Sequence, residues 1–444
     1  MQSLTNVGYP RNLSFISKRL NGYSRNTIRG LAVANTTAQA GQTIVYDLPN
    51  NAIVDLSTLQ MFFQGSTTSS AGACSFPKNI EQCISRLEFE INGQLVSTSC
   101  PYLEVLYSIL YDTTTGYDGK MRRNVLNNAG DQAIPTANVS NKYLAISNFL
   151  SFVGSVHPSC VNTAQLGNCR LRITLASPNV LIQSGDCSGA NFSFNNIMFS
   201  VDVLDIQDGI FHDIHNRYLA SGNSYEYNFL NYYSFTTATT GSFAGSLKFS
   251  LSSQSLNRAW GCYVHAAPHK IKSIGGVSNG GSAAFDPIRK DSSYFTRLSG
   301  GQAGTTVEYD AGSVTYKMKD FQFNVNNIFS PNYLCLPEYG HALMNAAYNY
   351  NYSTAEGGDP NLNSLATWLG SYFVAHTKFD HGSDGVSLIS GINTSGNVSQ
   401  CYLNTNGEGW TITGTTPGNV MGIVFCECTA SLLVSANRML QVIF

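Results

Sequence analysis

The feature that most constrains the fold is a stretch occurring twice in altered form. Its first copy, LEFEINGQLVSTSCPYLEVLYSILYD, runs from Leu87 to Asp112, and its second, FQFNVNNIFSPNYLCLPEYGHALMNAAYNY, from Phe321 to Tyr350. Each opens on alternating apolar residues, Leu87, Phe89 and Ile91 in one and Phe321, Phe323 and Val325 in the other. A period of two marks a strand with one buried face. A turn pair follows, Asn92-Gly93 or Asn326-Asn327, of residue types that tolerate positive φ. Each copy ends in a predicted helix opened by a proline, Pro101 or Pro337, at the position where its missing N–H costs nothing. Glu104 and Glu338 fall in the first turns, where the helix dipole favours a carboxylate. Leu103, Leu106, Tyr107, Leu110 and Tyr111 make one apolar stripe, and Tyr339, Leu343, Ala346, Ala347 and Tyr350 the other. The two prolines are separated by about half of the 444 residues, so the chain reads as two similar domains in tandem, with these helices at equivalent places.

Charged residues make up 12% of the chain, about half the usual share, and the net charge is −2. With 40 Gly, 24 Tyr and 24 Phe, this composition favours strands joined by polar loops and disfavours a helical bundle. So little charge also points to a surface largely covered by partners. The eleven cysteines, 74, 83, 100, 160, 169, 187, 262, 335, 401, 426 and 428, are odd in number and sit mostly in apolar runs such as Gly261-Cys262-Tyr263-Val264. Buried free thiols in a reducing compartment are expected. The N-terminal MQSLTNVGYP has no apolar core of signal-peptide length, and no run of 18 apolar residues occurs. Seven Asn-X-Ser/Thr sequons, beginning at Asn12, Asn35, Asn138, Asn191, Asn351, Asn393 and Asn397, then read as chance in an Asn/Ser/Thr-rich chain.

Residues 1–28 read as a basic arm. No acidic residue precedes Asp47, whereas Arg11, Lys18, Arg19, Arg25 and Arg29 all do, and Leu13, Ile16 and Leu20 recur at helical spacing before Gly22. Such an arm suits lipid headgroups or nucleic acid; an ordinary solvated tail is the alternative. Residues 29–206 form the first domain, with strands expected at 43–48, 59–64, 87–91, 143–152, 169–175 and 197–206, and a Gly/Asn-rich excursion over 117–139 carrying Lys120, Arg122 and Arg123. Residues 207–222 read as a connecting helix through Ile210, Ile214 and Leu219. The second domain, 223–444, has strands expected at 225–235, 247–251, 259–266, 314–318, 321–325, 369–376, 386–389, 401–404, 420–425 and 431–444. This spacing of short strands is that of β-sandwiches, so the fold class is all-β.

The sequence contains no Gly-x-Ser-x-Gly elbow, phosphate loop, dinucleotide fingerprint or His-Glu-x-x-His. His212 and His215 stand three apart without a third metal ligand in a recognised pattern, and read as polar residues of the connecting helix. Cys426-x-Cys428 reads as two residues on one face of a strand. His376, Asp380 and His381 are the nearest approach to an acid–base cluster, and the carboxylates are scattered rather than paired. No catalytic residue, metal ligand or cofactor is assigned, and no enzyme is expected.

Several segments carry a resemblance. ISRLEFEINGQLVSTSCPYLEVLYSIL (84–110), FNNIMFSVDVLDIQDGIFHDIHNRYLASGNSYEY (194–227), SLKFSLSSQSLNRAWGCYVHA (246–266) and SLISGINTSGNVSQCYLN (387–404) are similar to stretches of the double jelly-roll major capsid proteins. That family occurs in tailless lipid-containing phages, nucleocytoplasmic large DNA viruses, virophages and polinton-like viruses. The pattern spans nearly the whole chain, although Ser255-Leu256 replaces the His-Pro that often precedes the Trp-containing strand. The resemblance implies two tandem jelly rolls, each with a short inserted helix. It also implies a structural virion protein made in the host cytoplasm, whose homotrimers form pseudo-hexameric capsomers of an icosahedral shell beside minor capsid or penton proteins. The arm would then face an internal membrane or the genome. The alternatives are a secreted or spike-type β-sandwich that binds glycans, for which three Trp are few, and a hydrolase centred on His376, Asp380 and His381.

Overall fold

The computed structural model describes residues 23–33, 35–70, 72–97, 100–115, 135–184, 189–206, 217–240, 243, 245–265, 271–274, 277–278, 293–301, 304–309, 312–348, 365–380, 391–396, 401–414, 419–435 and 439–444, and the statements below concern these. The first barrel has eight principal strands: Tyr23–Leu31 (β1), Thr43–Asp47 (β2), Ile53–Thr68 (β3), Ile84–Ile91 (β4), Gln94–Ser97 (β5), Lys142–Ile146 (β6), Cys169–Leu175 (β7) and Asn191–Ile206 (β8). They hydrogen-bond in two sheets, ordered β1-β8-β3-β6 and β2-β7-β4-β5. The second barrel has Tyr225–Thr240 (β9), Gly245–Lys248 (β10), Leu256–His265 (β11), Gly312–Val325 (β12), Ile328–Cys335 (β13), Ala375–Lys378 (β14), Cys401–Gly414 (β15) and Asn419–Ser435 (β16). Its sheets run β9-β16-β11-β14 and β10-β15-β12, with β13 paired to the second half of β12. Adding eight to each label of the first barrel reproduces the second, including the antiparallel pairing.

Short strands extend this frame. Ala38–Gln39 pairs β8, Cys160–Asn162 pairs β3, and Met439–Ile443 pairs β16. In the second barrel Thr305–Tyr309 pairs the first half of β12 and continues the sheet outward to Ile271–Ile274. The alternation read from sequence is the alternation observed: β7 is buried at every second residue from Cys169 to Leu175. Each such apolar side chain contributes about 1.5–3 kcal/mol on burial. Across the sandwich of the first barrel, Tyr46 of β2 stacks on Phe199 of β8 at 4.2 Å between centroids. Gly30 of β1 leaves room for that ring, since a Cβ there would lie 2.4 Å from Tyr46 Cε2. Gly261 of β11 does the same for Leu403 of β15, at 2.1 Å from its Cδ2.

Both turn pairs adopt the left-handed backbone they were expected to need. Asn92 and Gly93 have φ of 51° and 80°, and Asn326 and Asn327 have 53° and 63°. Each therefore joins a tight hairpin, β4 to β5 and β12 to β13. The return strands β5 and β13 were not anticipated. After them come the two helices, Leu103–Thr114 (α1) and Pro337–Tyr348 (α2), each between the fifth and sixth strands of its barrel. Pro337 opens α2 as expected. Pro101 does not open α1: Tyr102 is the N-cap, in the left-handed region at φ 60°, and the helix starts at Leu103. The connecting helix is described only at 217–220, which is helical; His212 and His215 lie outside the described residues.

Other expectations are corrected. The strand expected at 143–152 stops at Ile146, and Ser151–Ser155 is a short helix. The strand expected at 369–376 is a helix, Leu365–Ser371 (α3), followed by β14. The pairs of strands expected at 314–318 and 321–325, and at 420–425 and 431–444, are single long strands, β12 and β16, the latter followed by Met439–Ile443. Asp320, between the two expected strands, is buried within β12, and the Asn406 amide donates to it at 2.5 Å. Residues 386–389, and Lys120, Arg122 and Arg123, lie outside the described residues.

Candidate assembly surface

The surfaces through which barrels meet are built first within the chain. α1 carries Glu104, Ser108 and Asp112 at intervals of four, hence on one face, and all three are buried. That face looks at the second barrel. Arg297, fully buried, donates from Nη2 to Asp112 Oδ2 at 2.6 Å and from Nη1 to Ser108 Oγ at 2.9 Å. Lys78 of the first barrel pairs with the other oxygen of Asp112, and its Nζ lies 4.8 Å from the ring centre of Tyr372 in the second. The Tyr294 hydroxyl donates to Glu104 at 2.7 Å. Burial raises the carboxyl pKa of Glu104 above its ordinary value, with the Tyr294 bond pulling the other way. An ion pair this dry gives little net stability against an apolar replacement, but removing one member strands the other charge at a cost of about 3–5 kcal/mol. It fixes how the barrels sit.

The second in-chain contact is strand β9. Its first half reaches over the first barrel, where Phe229 meets Phe152 edge-on at 5.1 Å and Phe152 stacks on Phe89 at 4.7 Å. The outer edge of β9 is also met: Asn228 and His157 exchange both backbone hydrogen bonds, at 2.7 and 3.0 Å. Ser97, at the end of β5, donates to Asn231 at 3.4 Å.

The corresponding parts facing outward are uncovered. β1 pairs only with β8 among the described residues, and Ser24 to Arg29 are exposed on both faces of it. Ile28, Leu31 and Val33 add apolar area there, Leu31 being 60% exposed. On the second barrel Ile328, Phe329, Tyr333 and Leu334 of β13 and Tyr339 of α2 are exposed, Leu334 at 56%. Leu103 and Tyr339 each stand two residues after the repeated proline, yet Leu103 is 2% exposed and Tyr339 60%. Tyr339 is therefore not part of a buried stripe, and α1 is buried on nearly every side rather than along one.

The basic residues divide. Arg11, Lys18 and Arg19 lie outside the described residues. Arg25 and Arg29 stand in β1, so the sheet begins inside the stretch read as an arm. Arg25 is engaged: its guanidinium bonds Asp202 at 2.6 Å and approaches Asp55 at 3.6 Å. The Thr27 hydroxyl and Arg25 together hold the Asp202 carboxyl below its ordinary range. Arg29 is exposed.

His376 and Asp380 are packed inside the second barrel, and His381 lies outside the described residues. His376 lies against Trp260 at 5.6 Å, and burial, aided by Arg258 and Lys378, pushes its pKa down to about 3. Asp380 lies 3.8 Å from Arg258, which also faces Glu427 at 3.7 Å. The Glu427 carboxylate accepts from Tyr232 at 3.0 Å. This is a packed polar core, in which burial favours the neutral form of the His376 ring. Cys426 and Cys428 are buried in β16, and the ten described cysteines are free thiols; burial pushes those of Cys100, Cys169, Cys262 and Cys428 up to about 12. Among the described residues no helix is long and apolar enough to cross a membrane, and no three His, Cys, Asp or Glu are grouped as metal ligands.

Two eight-stranded barrels of one strand order, each with a helix between its fifth and sixth strands, define the double jelly roll, and that is the fold of this chain. Solved structures with the same fold are major capsid proteins. PBCV-1 VP54, in the crystal structure fitted into a cryo-EM reconstruction of the virophage Sputnik, matches at TM-score 0.59 and 12% identity, covering 96% of this chain and 98% of that one. The quasi-atomic model of the PBCV-1 virus capsid matches at 0.58 and 12%, over 96% and 98%. The Faustovirus major capsid protein matches at 0.55 and 8%, over 97% and 96%. No protein-family model and no curated protein matches the sequence.

Proposed function

We propose that this chain is a major capsid protein, the repeated tile of an icosahedral shell, with three copies forming a capsomer on a base of six jelly rolls. The observation that carries the reading is the doubled strand order, which puts two barrels of one kind side by side in one chain. Three such chains make a ring of six similar barrels, a shape that tiles a closed lattice. The uncovered strands β1 and β13 supply lateral faces, and 12% charge leaves few of the lysines that usually block strand edges. The fold is shared with capsid proteins over 96% of the chain. The protein's role is structural, its place the virion, and its partners are further copies together with minor capsid or penton proteins.

Size exclusion coupled to light scattering tests this. Purified protein in dilute neutral buffer is expected as three chains or larger multiples of three, because obligate interfaces commonly bury more than about 2,000 Å². A stable monomer over about a hundredfold dilution would overturn the reading. The basic arm faces the particle interior in this arrangement and holds an anionic surface, membrane or genome, through Arg11, Lys18, Arg19 and Arg29, while Arg25 braces β1 against Asp202. Replacing Arg11, Lys18, Arg19 and Arg29 with Gln is expected to leave the trimer intact and to abolish assembly around the internal component. Single replacements are mild, since each contact is worth on the order of 1 kcal/mol. Filled particles from the four-fold variant would reject the arm's role.

A further inference from the structure

The contact between Lys78 and Asp112 differs from the other ion pairs of the chain. Lys78 stands just ahead of the short helix Ile80–Cys83, and Asp112 in the last turn of α1, so the pair joins two elements of the first barrel. Lys78 Nζ touches Asp112 Oδ1, and the two side chains are 6% and 0% exposed. Asp112 Oδ1 nevertheless accepts no hydrogen bond among the described residues, so this contact lacks the alignment of one. The second oxygen, Oδ2, is held by Arg297 Nη2 at 2.6 Å, and Arg297 is fixed in turn by Ser108. Aromatic rings close the site: Nζ lies 4.8 Å from the centre of Tyr372 and 5.6 Å from that of Tyr111. A nitrogen nucleophile is thus pressed against a carboxyl group, out of water, with a fixed donor on the carboxyl's other oxygen.

We propose that Lys78 and Asp112 condense with one another into an isopeptide bond. In bulk water the hydrated ammonium and carboxylate oppose this reaction; here neither is hydrated, and their contact is built into the fold. A proton passes from Nζ to Oδ1 across that contact, leaving an amine and a carboxylic acid. The amine lone pair then attacks Asp112 Cγ. Negative charge develops on Oδ2, where the Arg297 guanidinium already donates. Oδ1 takes a second proton from Nζ and leaves as water. The bond formed is Nζ–Cγ and the bond broken is Cγ–Oδ1, so an ammonium and a carboxylate become an amide and water without a co-reactant. Oδ2 remains as the amide oxygen, still accepting from Arg297. One buried cation and one buried anion disappear together, which removes the desolvation cost that makes a dry ion pair a poor source of stability. The bond closes residues 78–112, with the β4–β5 hairpin inside, into a covalent loop. Like a disulfide it restricts the unfolded chain, but it is indifferent to reducing agents, whereas the ten described cysteines are all free thiols. It also locks α1, whose buried face carries the contacts to the second barrel. None of this depends on what the chain assembles into.

Mass spectrometry of the full chain, incubated at neutral pH and then denatured, tests the proposal. The parent is expected to be lighter than its sequence by one water. Trypsin, which does not cut after an acylated lysine, is expected to pass over Lys78 and to release a branched peptide joining that segment to the one carrying Asp112. Lys78→Arg keeps the positive charge but has no amine to acylate, and is expected at its full sequence mass with linear peptides only. A parent at full sequence mass would overturn the proposal. So would a loss of water without the branched peptide, or the same loss in Lys78→Arg. The parent's result is read on denatured chains and stands whether or not the variant folds. The capsid reading is untouched by any of these outcomes.

Discussion

The two barrels share an order of strands but differ in what covers their first strand and where their charge is buried. β9 is covered by the first barrel and met along its edge; β1, its equivalent, is exposed on both faces. α1 is wrapped on nearly every side and carries three buried polar residues aimed at the second barrel, whereas α2 leaves Tyr339 in the open. A repeated proline serves differently as well, as the first residue of α2 but ahead of a left-handed N-cap in α1. The difference teaches that a duplicated fold in one chain is not two equal domains. One copy of each surface is covered at the joint, and the other is exposed among the described residues.

Three measurements would break or sharpen this asymmetry. The largest effect is expected at the joint. Arg297→Met removes the second barrel's hold on Asp112 and Ser108, and a loss of about 3–5 kcal/mol is expected. Calorimetry should then resolve separate transitions for the two barrels. A single transition shifted by less than about 1 kcal/mol would show that apolar contact at β9 alone holds them together.

Acid should act on one barrel more than the other. His265 and His376 both lie in the second barrel, and burial is the main cause that pushes each pKa down to about 3. In the unfolded chain a histidine titrates near 6.5, so between about 6.5 and 3 the unfolded state takes up a proton that the fold refuses. Stability therefore falls as pH drops through that window, by about 1.4 kcal/mol per pH unit for each histidine. The three tryptophans, Trp260, Trp368 and Trp410, all belong to the second barrel, so their fluorescence reports it selectively. Melts followed by tryptophan should lose stability from pH 6.5 to 4.5, and His376→Phe should flatten the slope. A slope unchanged in that variant would mean the ring is protonated in the folded protein.

The smallest effect is expected at the repeated turns. Asn92 and Asn326 both have positive φ, which costs an alanine about 1–2 kcal/mol. Asn92 also donates to the Leu166 carbonyl at 2.6 Å and accepts from the Asn168 amide at 2.9 Å, whereas among the described residues the Asn326 side chain donates to the Asn393 carbonyl, at 2.9 Å. Asn92→Ala should thus cost about 1 kcal/mol more than Asn326→Ala in urea titration. Equal costs would mean that backbone conformation alone decides these positions.

Much of the frame was legible in the sequence because it is written locally. Alternation in 169–175 and the paired turn residues at Asn92 and Asn326 need only their neighbours to be understood. What stayed hidden depends on distant residues. The spacing of Glu104, Ser108 and Asp112 was visible, but its meaning came from Arg297, far along the chain. Arg25 read as part of a free arm because its partner, Asp202, lies on the last strand of the barrel. The strand expected at 369–376 begins inside Leu365–Ser371, where packing of Trp368 against His341 of α2 and Phe373 accompanies a helix instead. The assembly faces were hidden for a related reason: Leu103 and Tyr339 occupy like positions in the repeat, and only packing separates them.

The position of β9 also sets an order of events during synthesis. Its partner in the sheet is β16, with Tyr225 opposite Val434 and Thr240 opposite Asn419. Nearly the whole second barrel must leave the ribosome before β9 has a strand to pair with. Until then β9 can meet only the first barrel, through Phe229 on Phe152 and the His157–Asn228 backbone pair, and its other edge is without β16. Pairings over such sequence separations form slowly, and an open strand edge in the interval invites association with other nascent chains. The newborn first barrel thus carries a strand whose second edge must be kept from its neighbours until the end of the chain arrives to close it.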